Sequence, residues 1–323
     1  GSTGFLGFRT LERLVQLPDV EKIIATGRSL RKSREVLHPK VTYILGDLTD
    51  KEFVNTLMKD IDVVLNTASL SSPWGSEYSF YVANVLTQEN MIYSAEIKGV
   101  KQFIYISSPS IYYNGEDRVM VKESEPLPVK FVNNYSKTKR NAEVLLENSK
   151  LKSIIIRPRA IIGRGDTVIM PRLIKAHSEG RLKIIGDGDN EVDLTSVENV
   201  VESIILSINA PDKAWNQAYN ITDENPVNLW ESINTVLEGI GKEKIEKKIK
   251  FKMAYFAASV LEWVSKWVTK KEPTLTKYSV GVLSKTFTLD VSKAKQLLGY
   301  YPIVTTKESI EEFVNWYKKN ERN

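Results

Sequence analysis

The sequence predicts a doubly wound α/β fold: a parallel sheet with helices on both faces, followed by a smaller mixed α/β region toward the C-terminus. Three observations carry this. Short β-branched apolar runs alternate with helix-length stretches through the first half of the chain, and such alternation is the signature of strand–helix–strand units. The runs are apolar at consecutive positions, as strands covered on both faces are. A glycine-rich turn, Gly1-Ser-Thr-Gly4-Phe-Leu-Gly7, stands ahead of the first helical pattern.

Taken in order, the strand-like runs are Lys22–Thr26, Val41–Leu45, Asp62–Asn66, Gln102–Ile106 and Ser153–Ile156. Helices are expected at Phe5–Leu17, Lys51–Lys59, Glu77–Lys98 and Asn133–Asn148. From Gly163 the elements shorten. A hairpin turn is expected at Gly186-Asp-Gly-Asp-Asn190, with helices at Met170–Gly180, Val197–Asn209, Leu229–Gly239 and Met253–Val268. This divides the chain into a dinucleotide-binding domain of Rossmann type over residues 1–162, onto which 197–221 packs back, and a mainly substrate-binding region over 163–323. No strand precedes the first glycine turn. In a doubly wound sheet that strand is the central one, so we expect two unpaired neighbours and an N-terminally truncated record of a longer protein.

Composition narrows the chemistry. The 323 residues contain no cysteine and two histidines, His38 and His177, which removes disulfides, thiolate metal sites and cysteine nucleophiles and disfavours histidine-based machines. No metal is expected. The absence of cysteine fits a cytoplasmic location. The net charge of +5 comes from 45 basic and 40 acidic residues spread along the chain, a pattern against nucleic-acid binding despite the basic run Lys242–Lys252. No apolar run reaches the ~18 residues of a membrane span. The aromatics of Met253–Val268 (Tyr255, Phe256, Trp263, Trp267) suit an apolar pocket, a peripheral membrane contact, or plain helix-core packing.

The glycine turn would let a pyrophosphate approach bare backbone, with the amides of the next helix pointing at the anion; three glycines so spaced also make ordinary turns. After the next strand comes Thr26-Gly27-Arg28-Ser29, where a dinucleotide site holds the adenosine ribose. A carboxylate there would select NAD. Arg28, beside Ser29 and helped by Arg31 or Lys32, offers a guanidinium to a 2'-phosphate and so points to NADP, with NAD as the other cofactor in play; the competing account is a solvated loop charge. Asp47 and Leu48, after the third strand, suit an adenine amino group and ring. Tyr135 and Lys139 lie four apart on a helix, which puts the ammonium on the face of the phenol. Ser107-Ser108 ends the strand expected to face the same crevice.

Together these residues resemble the extended short-chain dehydrogenase/reductase (NAD-dependent epimerase/dehydratase) family, whose order is followed by GSTGFLG, GDL, NTASLSSPWG, NV at Asn84-Val85, FIYISSPSIYY, YSKTK, IRPRAIIGRGD and DLTSVENV. The segments SSPWG, RPRAIIGRGD, TLTKYSVGVLS and LGYYP are similar to its 3β-hydroxysteroid dehydrogenase-like branch, which includes 2-alkyl-3-ketoalkanoate reductases. The resemblance implies that Gly1, Thr3, Gly4, Phe5, Leu6 and Gly7 hold pyrophosphate, Asp47 and Leu48 adenine, and that Ala68, Asn84 and Pro158 help position cofactor and active site. It implies Ser108 as hydrogen-bond partner of the reacting oxygen, Tyr135 as acid/base and Lys139 as ribose ligand that lowers the tyrosine pKa. Asn66-Thr-Ala replaces the family's usual His-Ala-Ala, a change expected to be tolerated.

The function so implied is an NADP-dependent oxidoreductase acting on the ketone or secondary alcohol of a small, hydrophobic 3-keto or 3-hydroxy substrate, with pairing of two copies through helices of the nucleotide domain. Two other readings stay open. One is a nucleotide-sugar epimerase or dehydratase with tightly held NAD, in which Arg157, Arg164 and Arg172 clamp the diphosphate. The other is a non-catalytic NADP-binding regulator. The acids Asp187, Asp189, Glu191 and Asp193 resemble a calcium loop in spacing only, because Val192 stands where that loop needs glycine.

Overall fold

A computed structural model describes residues 1–321. The first half alternates helix and strand: α1 (Phe5–Leu14), β1 (Ile23–Ala25), β2 (Val41–Tyr43), α2 (Lys51–Leu57), β3 (Val63–Asn66), α3 (Glu77–Phe80), α4 (Thr87–Lys98), β4 (Gln102–Ile106), β5 (Arg118–Val121), α5 (Asn134–Glu147) and β6 (Ser153–Pro158). The second half holds β7 (Ile161–Ile162), α6 (Met170–Ser178), β8 (Ile184–Ile185), β9 (Glu191–Val192), β10 (Thr195–Ser196), α7 (Val197–Ile208), β11 (Gln217–Ile221) and β12 (Val227–Asn228). It closes with α8 (Leu229–Gly239), β13 (Lys248–Ile249), α9 (Phe251–Val264), α10 (Lys277–Ser284), β14 (Phe287–Leu289), α11 (Ser292–Leu298) and α12 (Thr306–Glu321).

The main sheet is parallel, in the order β11-β6-β4-β3. Successive side chains of a strand point to opposite faces, and both faces are covered. Phe103, Tyr105 and Ile155 pack with Ile92, Ala95, Ala142 and Leu146 of α4 and α5. Ile104, Ile106, Ile154 and Ile156 pack with Val200 and Ile204 of α7 and with Ala294 and Leu298 of α11. This double burial explains the consecutive apolar positions of the strands. β1 and β2 form a separate parallel pair, so β1 and β3 are each hydrogen-bonded on one side only. The outer strand of that pair, β2, is correspondingly shallow, with Thr42 exposed.

Helix starts follow local chemistry. Asp50 caps α2 by accepting from the amides of Glu52 and Phe53, and Asn133 caps α5 by accepting from the amide of Ser136 at 2.8 Å, as side-chain oxygens at such positions do. The stretch Glu77–Lys98 is one helical run whose middle, Tyr81–Leu86, widens into a π-helix. It ends at Gly99, in the left-handed conformation (φ 71°) that favours glycine.

Beyond Gly163 the sheets are small. β5, β14, β9 and β12 form a mixed four-stranded sheet, while β8 pairs with β13 and β7 with β10. The expected hairpin at Gly186–Asn190 is not one: β8 before it and β9 after it belong to different sheets. The flanking strands each find their partners far along the chain, β8 at β13 and β9 at β12 and β14, which the local pattern does not encode. A separate core lies here, with Ile174, Ile185, Trp230, Ile233, Ala254, Val280 and Phe313. Only Ala254 and Ala258 of α9 are buried. Phe256, Trp263 and Trp267 keep 72%, 61% and 62% of their surface exposed, so these aromatics are not helix-core packing. No helix among the described residues is long and apolar enough to cross a membrane.

One buried ion pair ties α5 to the sheet. The guanidinium of Arg157 on β6 donates through Nε to Glu143 Oε1 at 2.8 Å and through Nη2 to Oε2 at 2.9 Å, and both residues are buried. Nη1 also donates to the Tyr112 hydroxyl, which donates to Asn220 Oδ1 of β11 at 3.1 Å. Burial pushes the Glu143 carboxyl up, but the Arg157 charge and hydrogen bonds outweigh it and leave the carboxyl below its ordinary value. Removing one partner would strand a charge in the core, so Glu143→Ala is expected to destabilise the protein by about 3–5 kcal/mol in denaturant unfolding. The double variant Glu143→Leu with Arg157→Met should recover most of that loss; additive losses would show that the pair does not act as a unit.

Candidate active site

The loop segments after β1 and β3 meet the glycine turn at the carboxyl edge of the sheets, the edge at which doubly wound folds bind ligands. The Ser2 amide donates to Thr26 O at 3.0 Å and its hydroxyl to the same oxygen at 2.8 Å, which seats the turn beside the end of β1. A Cβ on Gly1 would lie 2.4 Å from the amide of Ala68, and one on Gly7 2.2 Å from Gly1 O. Only bare backbone fits. Gly4 caps α1, whose first turn carries no acidic side chain, so nothing there would oppose an anion at the helix start. Phe5 and Leu6 continue α1 behind the turn, Phe5 lying 3.5 Å from where a Cβ of Gly165 would stand. Thr3 packs its side chain against Gly27.

The adenosine end is open. Arg28 and Ser29 are exposed, as are Arg31 and Lys32. Arg34, which the sequence reading passed over, crosses to Gly165 O at 3.1 Å and Thr167 Oγ1 at 3.3 Å. Asp47 accepts from the amide and hydroxyl of Thr49, both at 2.9 Å, and these bonds hold its carboxyl below the ordinary range. Leu48 is buried beside it. These surroundings fit a dinucleotide: a bare-backbone cradle, an uncontested helix N-terminus, and a basic edge at the ribose position.

The Asn66 substitution is accommodated by hydrogen bonds. Its Oδ1 accepts from the Ala68 amide at 2.9 Å and its Nδ2 donates to Gln88 Oε1 at 2.6 Å. Asn84 sits in the π-helical segment, buried, where its Oδ1 accepts from the Leu70 amide at 2.7 Å and its Nδ2 donates to Thr138 Oγ1 at 3.1 Å. It therefore braces the loop after β3 against α5, and π-bulges recur at functional sites for this kind of re-aiming. Pro158 ends β6, buried.

Tyr135 lies in the first turn of α5, its ring half-buried and 6.5 Å from that of Phe80. Burial of the hydroxyl end raises the phenol pKa, and hydrogen bonds with the Ser108 and Ser71 side chains pull it back down. Ser108 is held by Ser110: its Oγ donates to Ser110 Oγ at 3.0 Å and accepts from the Ser110 amide at 3.2 Å. Lys139 is fully within the protein. Its Nζ donates to Ile106 O at 2.6 Å and lies 4.3 Å from the centre of the Tyr105 ring. The structure thus brings Tyr135 near Ser108, while the Lys139 ammonium donates to the Ile106 carbonyl, two residues before Ser108 at the end of β4. Burial lowers the Lys139 pKa to about 7, against the raising effect of Glu143 one turn along.

Sequence reasoning missed Glu143, Ser71 and Tyr278. The first follows Lys139 at a four-residue spacing, a signal that was there to be used; Ser71 comes from the loop after β3 and Tyr278 from α10, and although both lie in segments that carry the resemblance, nothing local marks them as neighbours of Tyr135. The three arginines offered as a diphosphate clamp are engaged elsewhere. Arg157 pairs with Glu143, Arg164 with Glu12 and Glu312, and Arg172 with Glu272. Among the described residues no His/Cys/Asp/Glu cluster could hold a metal; Asp193 of the dismissed calcium spacing is buried and accepts from the Leu289 amide at 2.7 Å.

Comparison with known proteins follows this geometry. A match to the 3-beta hydroxysteroid dehydrogenase/isomerase family covers residues 1–253. The chain is 29% identical to a 2-alkyl-3-oxoalkanoate reductase of Shewanella oneidensis, over 96% of this chain and 83% of that protein. It is 30% identical to the mouse sterol-4-alpha-carboxylate 3-dehydrogenase, decarboxylating, over 97% and 88%. Among solved structures, a UDP-glucose 4-epimerase of Thermotoga maritima superposes with a TM-score of 0.78 at 20% identity, over 99% of this chain and 98% of that one, a likeness of fold.

The buried ammonium has a measurable consequence. Lys139 titrates near 7 when folded and near about 10.4 when unfolded, so between these values the unfolded chain holds a proton that the folded protein lacks. Stability without nucleotide should therefore rise as pH increases from about 7 to about 10. Thermal melts of Lys139→Met should lack this rise; parallel pH profiles for the two proteins would mean that the ammonium is solvated.

Proposed function

This chain belongs to the 3-beta hydroxysteroid dehydrogenase/isomerase family, and we propose that it moves a hydride between NADP and the 3-oxo or 3-hydroxy carbon of a hydrophobic acid. Membership makes it an NAD(P)-dependent oxidoreductase. The observation that carries the finer reading is that the Ser108 and Ser71 hydroxyls lie near enough to the Tyr135 phenol to lower its pKa, with Lys139 buried one helical turn away. Two relatives are named for a 2-alkyl-3-oxoalkanoate and a sterol 4-carboxylate. Each name puts a carboxylate on the carbon next to the reacting one, and that supports β-oxo and β-hydroxy acids as the substrate class here.

The glycine turn Gly1–Gly7 with Thr3, Phe5 and Leu6 would hold the pyrophosphate, Asp47 and Leu48 the adenine, Arg28 and Ser29 a 2'-phosphate, and Ala68, Asn84 and Pro158 would shape the nicotinamide end. Bound there, the cofactor supplies or accepts the hydride. Ser108 donates a hydrogen bond to the substrate oxygen and orients it toward Tyr135. The phenol gives its proton to that oxygen in reduction and withdraws it in oxidation. Oxidation needs a phenolate, which burial opposes; a neighbouring ammonium favours it. Lys139, with its donors turned from Ile106 O toward a ribose hydroxyl, would bring its charge to bear on Tyr135. The engagement of Arg157, Arg164 and Arg172 in ion pairs leaves the nucleotide-sugar reading less supported.

The exposed aromatics of α9, ringed by Lys250, Lys252, Lys266 and Lys270, support peripheral contact with an anionic lipid surface. Exposed Tyr93, Ile97 and Val144 on α4 and α5 support pairing of two copies through those helices. A cytoplasmic setting suits both. Sedimentation tests each: a dimer mass in solution, and co-sedimentation with phosphatidylserine vesicles that is lost in Trp263→Ser with Trp267→Ser. A monomer, or binding indifferent to the tryptophans, counts against the respective contact.

Kinetics test the chemistry. Tyr135→Phe should lower kcat about 10²–10⁴-fold while NADPH affinity stays within a fewfold, and Arg28→Ala should weaken NADPH by roughly ten- to hundredfold without affecting NADH. Retained turnover in the first variant removes Tyr135 from the mechanism, and equal losses for both nucleotides in the second remove the 2'-phosphate contact.

A further inference from the structure

Arg159 is an arginine whose Nε is buried and which yet takes no part in the ion pairs around it. It follows Pro158 at the end of β6, next to the strand that delivers Ser107 and Ser108: the Ser107 amide donates to Ile156 O at 2.7 Å, and the Arg159 amide donates to Ile221 O of β11 at 3.2 Å. Its neighbours Arg157, Arg164 and Arg172 each engage a glutamate. Arg159 has no salt bridge among the described residues, and its Nε, sealed from solvent, has no hydrogen-bond partner. An unpaired guanidinium in such surroundings is costly unless an anion completes it.

The walls around it are aromatic. The guanidinium carbon stands 4.7 Å from the centre of the Phe287 ring. Tyr113 packs on Phe287 at 5.8 Å and edge-on against Tyr278 at 6.0 Å, and its own hydroxyl is a second buried polar atom without a partner. Tyr278 joins this pocket to the reaction centre, since its phenol senses both Arg159 and Tyr135. The acid whose charge reaches Arg159 is Asp193. Its carboxylate accepts from the Leu289 amide and forms no salt bridge with Arg159, so the guanidinium is left without a direct anionic contact among the described residues. A planar cation and a phenol, each with a buried polar atom that lacks a hydrogen-bond partner and both set among aromatic rings, suit a carboxylate on an apolar molecule.

We propose that Arg159 is the carboxylate receptor of this site, binding the acid group borne on the carbon next to the reacting carbon, with the Tyr113 hydroxyl as its neighbouring donor. This rests on the reading of Tyr135 as the group that meets the substrate oxygen. The fork of Arg159 then sets which carbon of the substrate faces the nicotinamide, because a carboxylate anchored there leaves the adjacent oxygenated carbon toward Ser108 and Tyr135. Neutral ketones and alcohols lack that anchor and are discriminated against.

The test uses the full chain with NADP, 3-hydroxytetradecanoate and its methyl ester, read by titration calorimetry and by NADPH formation. The acid should bind the unaltered protein about ten- to hundredfold more tightly than the ester. Arg159→Gln should remove that preference while ester affinity stays within about threefold, and Arg159→Lys should restore part of it. Acid and ester binding alike, no binding of the acid, or equal weakening of both by Arg159→Gln overturns the proposal. Selective acid binding without NADPH formation upholds Arg159 and sinks the Tyr135 reading; NADPH formed equally from acid and ester does the reverse.

Discussion

The bidentate pair between Arg157 on β6 and Glu143 on α5 is the constraint on which the rest of the site depends. α5 carries Tyr135 in its first turn and Lys139 in its second, and a helix resting on a sheet through apolar contacts alone can slide or rotate by a fraction of a turn at small cost. Two parallel hydrogen bonds between buried, oppositely charged groups forbid that, because any shift leaves an uncompensated charge in the core. Tyr112 and Asn220 extend the lock from β6 to β11. Asn84 supplies a second brace from the opposite side, through Thr138. The phenol therefore points where Ser108 and Ser71 can meet it.

Burial works against the ionised forms of both groups thought to carry the chemistry. It raises Tyr135 and lowers Lys139 to about 7, so in this state the phenol is protonated and the amine is poised near neutrality. Glu143 sits one turn beyond Lys139 and favours its ammonium. The same carboxylate that anchors the helix thereby also biases the protonation of the lysine. Structural support and electrostatic tuning share one residue, which is why its four-residue spacing from Lys139 is informative.

The specificity pocket follows the same logic in reverse. Where the scaffold pairs its arginines it gains rigidity; where it leaves one unpaired, at Arg159, it keeps a strong anion receptor at the mouth of the sheet. The aromatic walls formed by Tyr113, Tyr278 and Phe287 limit water, and a charge–charge contact gains strength in such surroundings. Those walls come from the connection after β4, from α10 and from β14, segments far apart in the chain.

Much of the scaffold was legible in the residues alone. Consecutive apolar positions in Gln102–Ile106 and Ser153–Ile156 report burial on both faces of a parallel sheet, and the glycines at 1 and 7 report a turn with no room for a Cβ, because both are local consequences of sterics and solvation. What pairs with what was not legible: β8 and β9 look like the arms of a hairpin yet join different sheets, and the sequence left open whether the Met253–Val268 aromatics pack inward or, as the structure has Phe256, Trp263 and Trp267, face outward. The identity of the groups touching Tyr135, the turning of Lys139 toward Ile106 O, and the contrast between three paired arginines and one unpaired were decided by tertiary packing alone. Each depends on side chains brought together across many intervening residues, and short-range periodicity contains no record of such distances.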